Sequence, residues 1–305
     1  MNRFILYIIA LSFPMQMMGQ MISLSDSYLY NAHAINPAFT GSQDALSATM
    51  VYRNQWVGFE GAPKNQLFSI HAPLNNERIG LGILVDNQSI GIFNKTVILG
   101  NYAYRIELHS GILAMGLGFG VSVYNNAWNE LEVVDETDEN LINNPSSAVL
   151  PALSLGAYYY TPKYYIGISL PFYLSDDMNQ YAGDYKISPN FSVYNYFLTG
   201  GYQFEINSDV TLLPSFLVRY QPKNEVQIDY NFKISLKDRI WLGLGYRNRN
   251  ILIGVFQCQI NYQLRFAYSY EFIVGNIGRY VSGSHEIGLN YIFRYKRSVN
   301  GPRKF

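Results

Sequence analysis

Ser284 to Phe293 reads SHEIGLNYIF, and its apolar positions Ile287, Leu289, Tyr291 and Phe293 alternate with Glu286, Gly288 and Asn290. A period of two puts one set on each face of a β-strand. Gly111 to Tyr124 repeats the pattern, with Leu113, Met115, Leu117, Phe119, Val121 and Val123 set against Ala114, Gly116, Gly118, Gly120 and Ser122. Val226 to Leu236 and Tyr262 to Phe272 repeat it with full charges in the polar set: Asp229 and Lys233 in the first, Arg265 and Glu271 in the second. A soluble sheet can alternate too. Runs of about ten residues, repeated along a chain, match the length a tilted strand needs to cross a bilayer. Apolar residues then face lipid and polar ones face the lumen.

The same reading predicts about fourteen strands, at 46–54, 65–74, 78–88, 94–107, 111–124, 149–161, 163–172, 191–205, 208–220, 225–237, 239–247, 250–259, 262–273 and 283–294. Every second junction is tight: Asn75 to Glu77, His109 to Ser110, Pro162, Asn207, Asp238 and Asn261. The junctions between them are mostly longer: Gln55 to Lys64, Asn125 to Ala148, Tyr173 to Asn190 and Val274 to Ser282. Outer-membrane barrels have an even strand count, short periplasmic turns and long outer loops. The predicted fold is therefore all-β: a single-chain transmembrane antiparallel β-barrel over residues 46–294, integral to the outer membrane, with both ends periplasmic.

The two ends add detail. Met1 to Gly19 carries Arg3 and then an apolar run from Phe4 to Phe13, the form of a secretory signal peptide. That run is too short to span a bilayer, which needs about twenty residues. Cleavage after Gly19 would leave Gln20 first, with no cysteine nearby for a lipid anchor. Residues 20–45 precede the first strand, and two readings fit them: a plug folded back into the lumen, or a periplasmic tail. Residues 295–305, with Lys296, Arg297, Arg303 and Lys304, form a basic tail beyond the last strand.

Composition narrows the chemistry. Lys plus Arg and Asp plus Glu are 22 each, so no bulk charge points to nucleic acid. The chain has 27 Tyr and 18 Phe against 14% charged residues, a surplus that aromatic girdles at the membrane interfaces would use. Cys258 stands alone and forms no internal disulfide. His33, His71, His109 and His285 are scattered, with no GxSxG turn and no close pair of metal ligands. No catalytic residue, metal or cofactor is predicted. The acidic loop with Glu130, Glu132, Asp135, Glu136, Asp138 and Glu139 lacks the regular spacing of a calcium site.

Two patches interrupt the alternation. NPAFTG, Asn36 to Gly41, joins a proline that extends its predecessor to a glycine that permits a turn. YRNQWVGFEGAPKNQLFSIHAPL, Tyr52 to Leu74, sets Trp56 and Phe59 among Gly58, Gly61 and Pro63. Such a loop either binds a partner or folds inward to shape the barrel mouth.

NPAFTG, then YRNQW-GF-GAP, then Ser69, His71, Pro73 and Leu74, resembles the PorP/SprF family of outer-membrane proteins of type IX secretion in Bacteroidota. GNYAYRIEL, GILAMGLGFG and GSHEIGLNYIF also fit, so the resemblance runs from Tyr28 to Phe293. Lys64-Asn65-Gln66 departs from it where a hydroxyl residue usually follows GAP. The resemblance implies a fourteen-stranded barrel related to the FadL-like channels for long-chain hydrophobes. It also implies work with type IX components and gliding motility, and the export or surface retention of an adhesin through its C-terminal sorting domain. Some members are linked to a periplasmic peptidoglycan-binding partner. Arg53, Gln55, Trp56, Phe59, Gly61, Ala62 and Pro63 are expected to form the recognition or mouth-shaping patch. Asn36, Pro37, Phe39 and Gly41 are expected to position the N-terminal segment. Two alternatives stay open: a channel for hydrophobic or small solutes, selective through Arg219, Asp229, Lys233, Arg265 and Glu271, and a structural anchor for the periplasmic partner.

Overall fold

A computed structural model describes residues 25–43, 45–74, 77–128, 147–173, 191, 194–222, 224–248, 250–274, 278 and 281–293. The strands are β1 (Leu46–Asn54), β2 (Lys64–Pro73), β3 (Ile79–Ile90), β4 (Phe93–Leu108), β5 (Gly111–Asn126), β6 (Ser147–Tyr160), β7 (Tyr164–Tyr173), β8 (Tyr196–Tyr202), β9 (Phe204–Glu205), β10 (Val210–Tyr220), β11 (Gln227–Leu236), β12 (Ile240–Arg247), β13 (Ile251–Gln259), β14 (Leu264–Ile273) and β15 (Ser284–Phe293). Each runs antiparallel to its neighbours, and β15 pairs with β1 from Leu46↔Phe293 to Asn54↔His285, which closes the ring. β8 and β9 both pair with β10 and share one place, so the barrel has fourteen strand positions. The signal peptide, the basic tail and the acidic loop lie outside the described residues.

The alternation sorts the two faces as expected. Met50, Phe119, Ile168 and Leu244 point outward, with Phe119 at 67% and Leu244 at 76% exposed, as lipid-facing side chains should be. Thr49, Ser69, Gln257 and Asn290 point inward and are buried. Turn chemistry fits as well: Lys237 and Asp238 both have positive φ (51° and 50°) in the three-residue connection between β11 and β12, where Arg239 N donates to Leu236 O. At the short-turn rim, Tyr164 stacks on Tyr202 at 6.4 Å, and Tyr202 lies 4.4 Å from Phe204, forming part of an aromatic belt.

One strand departs from expectation. The alternation predicts an unbroken strand over 191–205, whereas ladder pairing stops at Tyr202 and resumes at Phe204. Ser215↔Gly201 and Leu212↔Phe204 fix the register, which sets Pro214 opposite Tyr202 and Leu213 opposite Gln203. Proline has no N–H to give, so the ladder between β8 and β10 fails at that step.

Residues 25–43 lie inside the ring as three 3-10 turns, Asp26–Leu29, Ala32–Ala34 and Pro37–Phe39. Ser25 caps the first, its hydroxyl accepting from Ser27 N. Asn36 caps the third, accepting from Ala38 N, with Pro37 in the first turn. The segment enters beside the short-turn rim, where Gly41 packs on Ala72 and Gly80, and reaches the long-connection rim at Ser25 and Asp26, near Arg53 and Glu286. The wall is carved to fit it. A Cβ at Gly116 would collide with Pro37 and Ala38, and one at Gly80 with the Thr40 carbonyl.

Candidate functional site

The inward residues of five strands meet the first turn of the N-terminal segment in a buried charge cluster. The β1 residue Arg53 reaches Glu271 of β14 at 2.5 Å, and Asp26 and Glu286 at 3.5 Å each. The β12 residue Arg247 reaches Asp26 at 3.0 Å, Asp229 of β11 at 2.8 Å and Glu271 at 2.5 Å. Hydroxyls complete the shell. Tyr28 donates to Asp229 (3.0 Å), Tyr30 and Ser25 donate to Glu286 (3.0 and 2.6 Å), and Ser269 donates to Asp26 (3.1 Å). Four carboxylates thus stand against two guanidiniums, a formal balance of −2 for these six groups. Burial is the main cause that raises the Asp26 carboxyl well above the usual 3.8, with Glu271 adding to it. Taking such charges out of water is costly, so the network is better read as a geometric specification than as a large net stabiliser. It fixes where the first turn of the segment sits.

A second anchor holds the other end. His33 lies between Ser69 Oγ (3.1 Å from Nδ1) and Asn101 Nδ2 (2.9 Å from Nε2). Its ring meets His71 edge-on at 4.9 Å. Burial first, and His71 second, keep its pKa well below 6.5. The Asn36 amide donates to the carbonyls of Ala157 (3.1 Å) and Ile168 (3.3 Å). Phe39 packs against His71 and Tyr158. Gly41 N donates to His71 Nδ1 (3.1 Å), and Arg105 donates to Gly41 O (2.6 Å). Asn36, Pro37, Phe39 and Gly41 therefore form one buried fixture against the inner face of β2 to β7.

The Tyr52–Leu74 patch divides. Arg53 and Gln55 turn inward and are buried, Arg53 at 2% exposed in the charge cluster. Trp56, Phe59, Gly61, Ala62 and Pro63 lie in the β1–β2 connection at the long-connection rim. Gln55 N donates to Pro63 O, Val57 N to Gly283 O, Ser282 N to Val57 O, and Gly91 N to Gly61 O. These bonds hold Trp56 at φ 50°, a value bulky side chains rarely adopt, and such strain costs about 1–3 kcal/mol. Phe59 stands 60% exposed beside a recess of about 330 Å³ lined by Asn54, Trp56, Gly58, Glu60 and Lys64. Lys64 lies at the start of β2, two residues beyond Ala62.

Sequence reasoning did not single out Asp26, Arg247, Tyr28 or Tyr30 as site residues. Arg247 does alternate inward with Trp241 in IWLGLGYR, a signal visible in the sequence. Arg219, Asp229, Lys233, Arg265 and Glu271, the residues expected in the lumen, face it, spread over β10, β11 and β14. Among the described residues, no group of His, Cys, Asp and Glu is arranged to hold a metal ion.

The architecture has solved counterparts. The CymD monoaromatic hydrocarbon channel superposes with a TM-score of 0.53 at 13% identity, covering 91% of this chain and 95% of that one. A deltaS2 mutant of the TodX monoaromatic hydrocarbon channel gives 0.49 at 11% identity, covering 87% and 93%. The outer-membrane protein Omp33 of Acinetobacter baumannii gives 0.46 at 7% identity, covering 83% and 100%. No curated protein matches in sequence. The likeness to CymD shows the fold, a closed antiparallel β-barrel. A family model described as type IX secretion system membrane protein PorP/SprF matches residues 18–291, nearly the whole chain, and the protein belongs to that family.

Proposed function

We propose that this barrel works in type IX secretion as a non-enzymatic receptor. It receives, helps export or anchors at the cell surface an adhesin through its C-terminal sorting domain. One observation carries this reading: the lumen is taken up by the chain's own residues 25–43, while a strained and braced loop presents Phe59 at the long-connection rim. A filled barrel with a preformed rim surface suits docking better than conduction. Ser69, His33 and Asn101 follow one another in hydrogen-bond order, as in a serine hydrolase. Ser69 is wholly buried under the segment, however, and the row holds the segment in place.

The test is recovery of the detergent-solubilised barrel from its native outer membrane after mild crosslinking, with captured proteins identified by mass spectrometry. An adhesin bearing a C-terminal sorting domain supports the proposal. Reproducible recovery of the barrel alone overturns it in favour of a channel for hydrophobic or small solutes. A periplasmic peptidoglycan-binding protein, captured without an adhesin, turns it toward a structural anchor.

A further inference from the structure

The recess beside Phe59 lies on the outer face of the wall. Asn54, Lys64 and Ser89 line it and stand side by side on β1, β2 and β3. By the period of two they share a face with Met50, Phe68 and Val85, a register row four residues lower on each strand. Met50 and Phe68 are exposed there, on the lipid side. Tyr52 and Gln66 lie between the two rows, with Tyr52 where an interfacial aromatic belongs. Four residues of strand are about 13 Å, or about 10 Å of height at the tilt of such a barrel. Head groups occupy only about 5–8 Å beyond the hydrocarbon on each side. The recess therefore sits at the top of that layer, where the sugars of an outer-leaflet glycolipid begin.

Its chemistry suits a sugar ring. The volume of about 330 Å³ falls in the range of about 300–1,000 Å³ typical of small-molecule sites. Trp56 lines it and supplies an aromatic face with an N–H at the edge. Among the described residues, the side chains of Asn54, Trp56, Glu60, Lys64 and Ser89 make no hydrogen bond or ion pair within the protein. An amide, an indole N–H, a carboxylate, an ammonium and a hydroxyl thus keep their capacity for a ligand. One cation and one anion leave the recess formally neutral, which fits an uncharged polyhydroxyl ring better than a bare phosphate. The walls are also preformed. The bond from Gly91 N to Gly61 O ties the loop to the β3–β4 turn, and the strain held at Trp56 is of the kind that collects at ligand clamps.

We propose that this recess binds a neutral sugar of an outer-leaflet glycolipid, stacked on Trp56 and hydrogen-bonded by Asn54, Glu60, Lys64 and Ser89. The occupant belongs to the membrane that the barrel spans, so it arrives along the wall and needs no path through the lumen. This inference goes beyond the receptor reading and does not rest on it, since barrel and lipid alone decide it.

The test incubates the detergent-purified full barrel with lipopolysaccharide from its native outer membrane, and separately with the lipid A that mild acid releases from it. The two share the acylated disaccharide and differ in the outer sugars. Native mass spectrometry reads how tightly each is retained. Lipopolysaccharide should be held about tenfold more tightly, the weight of one stacked and hydrogen-bonded ring. Trp56→Asn keeps a residue that tolerates positive φ and removes the ring, so it should bring the two lipids to near parity. Ser89→Leu leaves the loop untouched and fills the recess from the β3 side, and should do the same. Equal retention of the two lipids by the unaltered barrel overturns the proposal, as does an unchanged preference in either variant. Where Trp56→Asn does not fold, Ser89→Leu decides the matter.

Discussion

Asp26 and Arg247 are 221 residues apart in the chain, and their side chains meet at 3.0 Å inside the barrel. Asp26 belongs to the N-terminal segment and Arg247 to the wall, so the contact joins filling to barrel. Arg247 also serves Asp229 and Glu271, so it holds three carboxylates at once.

Arg247→Gln should therefore be among the most damaging lumen substitutions. It leaves three buried carboxylates short of a cation, at a cost of about 3–5 kcal/mol. Asp26→Asn removes one negative charge from a cluster already rich in them, and should cost only about 1 kcal/mol. Urea unfolding of the refolded barrel in micelles measures both. Equal losses would show that the cluster is not organised around Arg247.

Gly116→Val should push the segment out of its seat, because a side chain there runs into Pro37 and Ala38. Gly100→Ala is the control, since its Cβ meets only the Phe119 carbonyl at 3.7 Å. Chymotrypsin reads the outcome at Tyr28, Tyr30 and Phe39, which are sealed in the native barrel. Cleavage should rise in Gly116→Val and stay at the native level in Gly100→Ala.

Acid should loosen the segment through His33. The unfolded chain takes up a proton there as pH falls through about 6.5, whereas the folded chain, with its depressed pKa, does not. Stability from His33 is complete above that value and is lost progressively below it. Asp26 works the other way: its raised pKa lets the folded chain take the proton first, so its contribution grows as pH falls toward 3.8. The groups facing His33 are Ser69 and His71 from β2 and Asn101 from β4, and only His71 among them titrates. Unfolding of the wild type and of His33→Gln, each from about pH 7.5 to 5.5, isolates the histidine. The wild type should lose about 1 kcal/mol more than the variant over that range; parallel losses would remove His33 from the account.

Phe59→Ala should leave unfolding unchanged within about 0.5 kcal/mol, because the ring stands mostly in solvent. If the rim loop binds the adhesin, the same substitution should abolish its co-purification and surface display. Normal display in Phe59→Ala would move the binding surface elsewhere.

Most of the wall was legible because alternation is a local signal. β1 occupies 46–54, and β12 and β15 fall within one residue of their expected ends. The eighth strand was not, since its interruption comes from Pro214 on the neighbouring strand, about a dozen residues on in the chain. The interior was harder to read. Arg53 sits in a sequence block rich in rim residues and was grouped with them, yet it shares the inward face with Thr49 and Val51. Its partners Asp26, Glu271 and Glu286 lie on three other elements, and only barrel closure brings them together. NPAFTG could be read as a turn, but not the six strands, β2 to β7, whose atoms receive it.

The segment inside this barrel touches the wall through Asp26, Tyr28, His33, Asn36 and Gly41, at points spread around the whole ring. A sheet normally takes its circumference from strand number and stagger alone. Here the strands also have a mandrel. The seam between β1 and β15 closes beside Ser25 and Asp26, so the first turn of the segment sits directly behind the strand pair that completes the ring. Filling and closure are thus seated by one set of contacts, and loss of either loosens the other.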